Sequence, residues 1–209
     1  MDVERFLWFA FASLMLNLTP GADMLYVATR STGLGRKAGI VSALGIMGGC
    51  MVHIFAAVIG LSALIMSSVY AFTIIKWLGA AYLVWLGLKS IFGNNSVFTA
   101  QQAVTDTRYS RLFWQGVITN VLNPKVALFF LAFLPQFVDP LKGSPAVQIL
   151  LLGTWFNLSG TLVNIIVALV FGRMGSWLSR SPWFTRWQGR LTGLVLVSLG
   201  LKIALGSRK

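Results

Sequence analysis

The chain has 209 residues, of which 56% are hydrophobic and only 11% are charged. A soluble globular domain carries about 25% charged residues, so a soluble protein of this composition could not cover its apolar surface. The net charge of +12 would suit a nucleic-acid-binding protein if the chain were soluble. Here the basic residues fall between apolar segments, where they meet lipid headgroups. Composition therefore indicates a membrane protein whose partner is lipid, and it argues against a nucleic-acid partner.

The apolar residues form long runs, most of them near the roughly 20 residues that a helix needs to cross the hydrocarbon core of a membrane. A membrane β-barrel would instead show alternating segments of about 10 residues. We therefore predict an all-α membrane protein, with residues 1–209 forming a single transmembrane domain. Its six transmembrane helices are expected at about 6–28, 38–67, 71–92, 112–138, 147–171 and 191–205.

The first and the fourth predicted spans are both interrupted by a proline beside short polar residues. Proline removes a backbone donor and frees a carbonyl four residues back. At membrane depth, freed backbone groups are tolerated only where protein or a water-filled cavity satisfies them. Opened helix ends also hold a carboxylate at their N–H groups and an ammonium at their carbonyls, which suits a zwitterion. The expected binding residues at the two breaks are Asn17, Thr19, Pro20, Gly21, Asp23, Asn120, Asn123, Pro124 and Lys125.

The alternative interpretation of the interruptions is a pair of proline kinks that only bend helices for packing. Against it stands an internal repeat, in which Leu18-Thr19-Pro20 matches Leu122-Asn123-Pro124. Gly49-x-x-x-His53 matches Gly153-x-x-x-Asn157 at the same shift of 104 residues, and two further matches follow in the same order towards the end of each half. We predict two three-helix repeats, about 1–92 and about 112–209, joined by a linker at about 93–111. Because three is odd, the second repeat would be inverted relative to the first, as is typical of transporters that bind substrate near the midplane.

Asp23 is the only carboxylate inside a predicted span. A charge at membrane depth usually faces a cavity and has a partner, and Lys125, just after the second interruption, is the expected partner. The alternative is an Asp23 at headgroup level, with Arg30 as its neighbour.

His53 is the only histidine and shares a helix face with Gly45 and Gly49. Small residues let helices pack closely, so His53 is expected to point at another helix rather than at lipid. Histidine titrates near neutral pH, so His53 is a candidate for proton coupling. The carboxylate of Asp23 is the other candidate. The alternative is a neutral histidine with a hydrogen bond across helices. On the fifth span Asn157 occupies the matching position in a stripe with Gly153, Gly160 and Asn164, and we expect it to join the binding site.

A lone cysteine, Cys50, and a lone histidine give neither a catalytic triad nor a structural zinc site. The sequence also lacks the G-x-x-x-x-G-K-[ST] loop of ATP-driven proteins. We therefore predict no enzyme activity, no cofactor and no bound metal. The alternative function is a cation or metal-ion transporter on a similar inverted-repeat fold. Such a transporter would require several carboxylates, sulfurs or histidines at membrane depth to bind the ion.

The odd-numbered loops hold ten of the basic residues and the opposite side holds six. Because Lys and Arg accumulate in cytoplasmic loops, we predict cytoplasmic odd-numbered loops and periplasmic termini for a multi-pass protein of the bacterial inner membrane. The basic C-terminal tail, with Arg208 and Lys209, runs against this orientation.

The sequence resembles the LysE/RhtB family of amino-acid exporters at residues 17–25 (NLTPGADML) and 33–39 (GLGRKAG). The second half adds FWQG at 113–116, NVLNPK at 120–125 and FLPQFVDP at 133–140. The family usually has proline after the first glycine, where this chain has Ala22. The resemblance implies secondary active, proton-driven export of a small-molecule amino-acid substrate, with homoserine, threonine and related neutral amino acids favoured. Whether copies of the chain form a homo-oligomer stays open.

Overall fold

The computed structural model describes residues 3–61 and 108–178, the side chains of 174–178 excepted, and a few separate positions between 74 and 92 and between 190 and 201. Every regular element within the two continuous ranges is helical, as predicted. Apart from those separate positions, the predicted third and sixth spans and most of the linker lie outside the described residues. The arrangement of six spans in two inverted repeats therefore stays a prediction.

The first half begins with a helix that is broken at the predicted place. Helix α1 covers Val3–Leu18, and α2 covers Ala22–Leu34 after an extended Gly21. Gly35 ends α2 with a φ of 86°, a left-handed conformation that glycine adopts without strain. Helix α3 follows at once as Arg36–Ala56 and continues as a π-helical turn, Ala57–Leu61.

The second half also begins with a broken helix. Helix α4 covers Tyr109–Val121, and α5 begins with Pro124–Leu128 and continues through a π-helical turn and a 3₁₀ turn to Phe137. The Asn123 side chain caps α5 by accepting a 3.0 Å hydrogen bond from the Lys125 N–H, and Pro124 fits the first turn because its missing donor is not needed there. The two segments meet at a bend of 46°.

A loop with a short 3₁₀ turn, Pro140–Lys142, leads to the long helix α6, Pro145–Leu178. Two helices of the described residues are long and apolar enough to cross a membrane, Arg36–Leu61 with a mean hydropathy of 2.1 and Pro145–Arg173 with 1.7. The bent pair of α4 and α5 makes a third if it forms one broken span.

Helix α3 packs most extensively along α4 and then against α6. Gly45 and Gly49 make the close approach possible, because a Cβ on Gly45 would collide with the Phe113 carbonyl and one on Gly49 would lie 2.5 Å from the Val117 carbonyl. The small-residue face that carries His53 is therefore packed against another helix, as expected from its spacing.

Contacts along α6 show the direction in which the first broken helix runs. Along α6, Gln148 bonds Asp139 beyond the end of α5, and Phe156 and Ser159 bond Asn17 of α1. Ala168 lies beside Gly39 of α3, and Gly39 in turn lies against Ser31 near the end of α2. The α1–α2 pair thus runs parallel to α6.

The α4–α5 pair runs the other way. Tyr26 of α2 donates a 2.7 Å hydrogen bond to the Leu112 carbonyl near the start of α4, whereas Phe137 at the end of α5 packs on Phe9 near the start of α1. Arg5 in α1 forms a 3.1 Å ion pair with Asp139 just after α5. The two broken helices are therefore antiparallel, and their breaks meet at mid-length.

Candidate functional site

A small cavity lies where the two breaks meet, and all six helices contribute to its wall. Its volume is about 30 Å³, room for one or two water molecules. Five of the predicted binding residues line it, namely Asn17, Asp23, Asn120, Lys125 and Asn157. Thr19, Pro20, Gly21, Asn123 and Pro124 are not among the lining residues and instead shape the breaks beside it.

Lys125 connects the two breaks. Its Nζ donates to the carbonyl oxygen of Thr19 at 2.9 Å and to that of Leu16 at 3.3 Å, both at the end of α1. A cation is favoured at the C-terminal end of a helix, where carbonyls lack partners. The bare Cα of Gly21 leaves room for this side chain, since a Cβ there would lie 3.0 Å from the lysine Nζ. The ammonium of the second half thus satisfies backbone that the first break exposes.

Asp23 is buried in the first turn of α2, where the positive end of the helix favours a carboxylate. Its Oδ2 accepts a 2.8 Å hydrogen bond from the Asn120 amide at the end of α4. The Asn123 side chain also interacts with this carboxylate, but no atom of the described structure is within hydrogen-bond geometry of its Oδ1. One carboxylate oxygen is therefore left for a ligand or for water.

No direct ion pair joins the expected partners Asp23 and Lys125 within the described residues, although their opposite charges lie close enough to interact. Lys125 is occupied by the carbonyls of α1 and Asp23 by Asn120. The two charges nonetheless line the same cavity. Arg30 is not the partner of Asp23 either, since its guanidinium donates to Gln115 at 3.2 Å and lies over the ring of Tyr26.

His53 lies behind Asn120 rather than in the cavity wall. Its Nε2 is 3.1 Å from the Asn120 carbonyl oxygen, and because a carbonyl only accepts, that nitrogen carries the hydrogen. The ring stacks on Phe130 with centroids 5.8 Å apart. This geometry matches the alternative of a histidine hydrogen-bonded across helices, and it holds the end of α4 in place.

The remaining asparagines tie the cavity wall together. Asn17 donates to the Phe156 carbonyl at 3.1 Å and to the Ser159 hydroxyl at 3.0 Å, which fixes α1 on α6. Asn157 donates to the Met47 carbonyl at 3.3 Å, which fixes α6 on α3. Both amides keep an oxygen that can accept a hydrogen bond from a ligand.

Sequence reasoning missed several residues of the cavity wall. Thr161 and Asn164 add polar groups on α6, one turn and two turns after Asn157. The spacing of Asn157, Gly160 and Asn164 was a signal for this face, but nothing in the sequence set Thr161 apart. The apolar part of the wall comes from Met24, Ile46, Cys50, Val126 and Phe156.

The lining residues carry one carboxylate and one ammonium, so their charges balance. Among the described residues, no three of His, Cys, Asp and Glu cluster as metal ligands. The arrangement suits a small molecule with one positive and one negative group, an uncharged remainder, and hydrogen-bonding capacity towards amides.

Comparison with known proteins gives one family and several relatives. The LysE type translocator family matches residues 14–207. A homoserine/homoserine lactone efflux protein of Salmonella typhimurium is 34% identical over 173 residues, which is 82% of this chain and 83% of that protein. The uncharacterized membrane protein YrhP of Bacillus subtilis is 33% identical over 200 residues, covering 91% and 94% of the two chains. A leucine efflux protein of Salmonella typhi is 26% identical over 194 residues, covering 92% and 91%. No solved structure matches.

Proposed function

The chain belongs to the LysE type translocator family, and we propose that it exports neutral amino acids across the bacterial inner membrane as a proton-coupled secondary transporter. Relatives that cover most of the chain are named for the efflux of homoserine, homoserine lactone and leucine. Homoserine and leucine are zwitterions with an uncharged side chain, which agrees with the substrate class that the cavity favours.

The observation that carries the proposal is the pair of separated opposite charges in one cavity. The substrate ammonium would bind the unpartnered Oδ1 of Asp23, and the substrate carboxylate would bind the Lys125 ammonium. Charge-assisted hydrogen bonds of this kind are stronger than neutral ones. A cationic side chain on the substrate would bring a third charge with no counter-ion in the described wall, and an unpaired buried charge is costly.

The antiparallel course of the two broken helices supports the predicted inverted repeat. In transporters of that design, access alternates as one repeat rocks against the other around a site at their interface. With a volume of about 30 Å³, the cavity must widen before an amino acid can enter. We therefore propose that this conformation is the closed one between inward-facing and outward-facing states.

The positions of basic residues support periplasmic termini. Arg30 at the end of α2 and Gln115 near the start of α4 are in contact, and Arg36 at the start of α3 packs on Gly172 of α6. The basic residues of the odd-numbered loops that the structure describes therefore gather at one end of the helices. Arg5 and Lys142 lie at the opposite end. By the positive-inside rule the first end is cytoplasmic.

We assign proton coupling to Asp23 rather than to His53. The Asp23 Oδ1 faces the cavity without a partner, so a proton and a substrate ammonium can compete for it. His53 already donates to a backbone carbonyl and does not line the cavity. The alternative of a cation or metal-ion transporter is disfavoured because the Lys125 ammonium in the same wall would repel a bare cation.

The test is efflux of a panel of labelled amino acids from proteoliposomes with and without an imposed pH gradient. We expect neutral amino acids to be transported, stimulated by the gradient, and lysine and arginine to be excluded. Asp23→Asn should abolish transport, whereas Glu4→Gln, which removes an exposed carboxylate at the start of α1, should not. Transport of no amino acid, or equal transport of lysine, contradicts the proposal.

A further inference from the structure

The hydroxyl of Thr161 is buried against the cavity and has no hydrogen-bond partner in the described structure. The residue is 8% exposed, so bulk water does not satisfy the hydroxyl. A buried polar group without a partner is uncommon in proteins, and a ligand or an ordered water that completes the bonding is one explanation for it.

The hydroxyl is unpartnered although an ordinary partner is available in the helix itself. Threonines within helices often donate to the carbonyl four residues earlier. Thr19 bonds Met15 in this way, Thr32 bonds Ala28 and Thr119 bonds Gln115, over 2.7–2.9 Å. Thr161 makes no such bond to Asn157. Its hydroxyl is therefore available to the cavity.

A second polar group lies next to it on the same helix face. Asn164, 7% exposed, also lines the cavity, and its side chain makes no hydrogen bond to any residue that the structure describes. By contrast, Asn157 one turn earlier is held by the Met47 carbonyl. Helix α6 thus presents two polar side chains to the cavity, Thr161 and Asn164, for which the structure gives no hydrogen bond to another described residue.

We propose that Thr161, flanked by Asn164, is the specificity-determining residue that reads a hydroxyl group on the substrate's side chain. This inference rests on the proposed function, in which Asp23 and Lys125 hold the substrate's ammonium and carboxylate. The favoured class is then neutral amino acids with a short hydroxylated side chain, over aliphatic ones of equal size. Thr161 donates to or accepts from the substrate hydroxyl, and the Asn164 amide supplies the complementary group.

The preference for a hydroxylated substrate arises because an aliphatic substrate leaves the Thr161 hydroxyl without a hydrogen-bond partner. A methyl group in place of the hydroxyl would bury the Thr161 oxygen without a partner when the site closes, and the cost falls on the wrong substrate alone. Threonine and valine form the sharpest test pair, since they differ by a hydroxyl against a methyl at nearly the same shape. We expect a preference for threonine of about tenfold or more, the size of one buried hydrogen bond.

The experiment measures threonine and valine efflux from proteoliposomes under the same pH gradient, using wild-type protein and three variants. Thr161→Val keeps the shape but removes the hydroxyl, and should lower the threonine-to-valine ratio by about tenfold. Thr161→Ser keeps the hydroxyl and should retain the ratio. Ser42→Ala is the matched control, because Ser42 also has a buried, unpartnered hydroxyl but does not line the cavity.

The ratio within each variant cancels differences in folding and reconstitution, and thermal stability in detergent is read in parallel. Transport of both substrates with an unchanged ratio in Thr161→Val overturns the assignment of Thr161 and leaves the proposed function standing. Equal transport of threonine and valine by the wild type does the same. Wild-type protein that transports neither, nor any other neutral amino acid, overturns the proposed function and this inference together.

Discussion

Lys125, the residue after the second helix break, donates from its Nζ to the backbone carbonyl of Thr19 at the first break over 2.9 Å. The converse contact joins Asp23, just after the first break, to the Asn120 amide at the end of α4. Each half therefore satisfies groups that the other half exposes. A movement that separates the two breaks would disturb both contacts together.

Lys125→Met should lower both stability and transport. The substitution leaves the carbonyls of Leu16 and Thr19 without their donor at the end of α1, which costs about 1–3 kcal/mol. It also removes the positive charge that we assign to the substrate carboxylate. Thermal unfolding in detergent and efflux assays measure the two effects separately. Lys142→Met, at an exposed position, is the control, and wild-type stability of Lys125→Met would show that the α1 carbonyls do not need this donor.

Asp23→Asn and Lys125→Met should be coupled in stability, but less than a direct buried ion pair. The two charges line one cavity and are satisfied by different partners. We expect a coupling energy of about 1 kcal/mol in a double-mutant cycle, below the roughly 3–5 kcal/mol lost when one member of a buried pair is removed. Transport should be lost in both single mutants and in the double mutant. Strictly additive losses of stability would show that the charges do not interact.

The positions of the breaks could be predicted from sequence because they depend on local chemistry. Pro20 and Pro124 remove backbone donors inside apolar runs, and no tertiary contact is needed to see that. The packing face with Gly45, Gly49 and His53 was predictable for a similar reason, since helical periodicity places small residues on one side.

The partners within the site could not be predicted in the same way. Asp23 bonds Asn120 instead of Lys125 because the lysine side chain reaches the end of α1, and that depends on how two separate helices are placed. Whether the Thr161 hydroxyl is free to bind a ligand depends on the rotamer of its side chain, which the neighbouring sequence does not reveal. Charge complementarity in the sequence identified two residues of the cavity wall, but not the hydrogen bonds that hold each of them.

Gly49→Ala should destabilise the protein and reduce transport. A Cβ at this position would lie 2.5 Å from the Val117 carbonyl oxygen and 2.8 Å from the Asn120 Cβ, so α3 and α4 must separate. Overpacking of this kind costs about 1–3 kcal/mol and would displace the amide that holds Asp23. Gly48→Ala is the matched control, since its Cβ would meet only side-chain atoms at 3.4 Å. Thermal unfolding of both variants in detergent checks the prediction, and equal stability would contradict it.

His53→Gln should retain proton-driven efflux, whereas His53→Leu should lose stability and substrate affinity. Glutamine can still donate to the Asn120 carbonyl, but leucine leaves that carbonyl without its partner. The measurement is the KM and maximal rate of efflux with and without a pH gradient. If His53→Gln abolished gradient-driven efflux while downhill exchange survived, His53 would be a proton carrier instead of the residue that positions Asn120.

Cys50 reports on opening of the cavity. It is the single cysteine of the chain, lines the cavity and is 3% exposed. Between the cavity and the Arg5–Asp139 end lies an aromatic cluster in which Phe9 contacts Phe129, Phe133 and Phe137. A bulky maleimide should therefore modify Cys50 slowly in the native protein, and a saturating substrate should slow the reaction further.

Phe9→Ala should accelerate Cys50 modification from the side of the membrane that carries Arg5. The substitution removes a ring that is 0% exposed and leaves a gap in the aromatic cluster. Phe11→Ala is the control, because Phe11 is 59% exposed and lies outside the cluster. A charged, membrane-impermeant thiol reagent, added to one side of sealed vesicles at a time, measures the rate. If truncation of Phe9 impairs folding, Phe9→Leu keeps part of the volume and should give a smaller acceleration in the same direction. Equal rates for the Phe9 and Phe11 variants would show that the aromatic cluster does not close this side of the cavity.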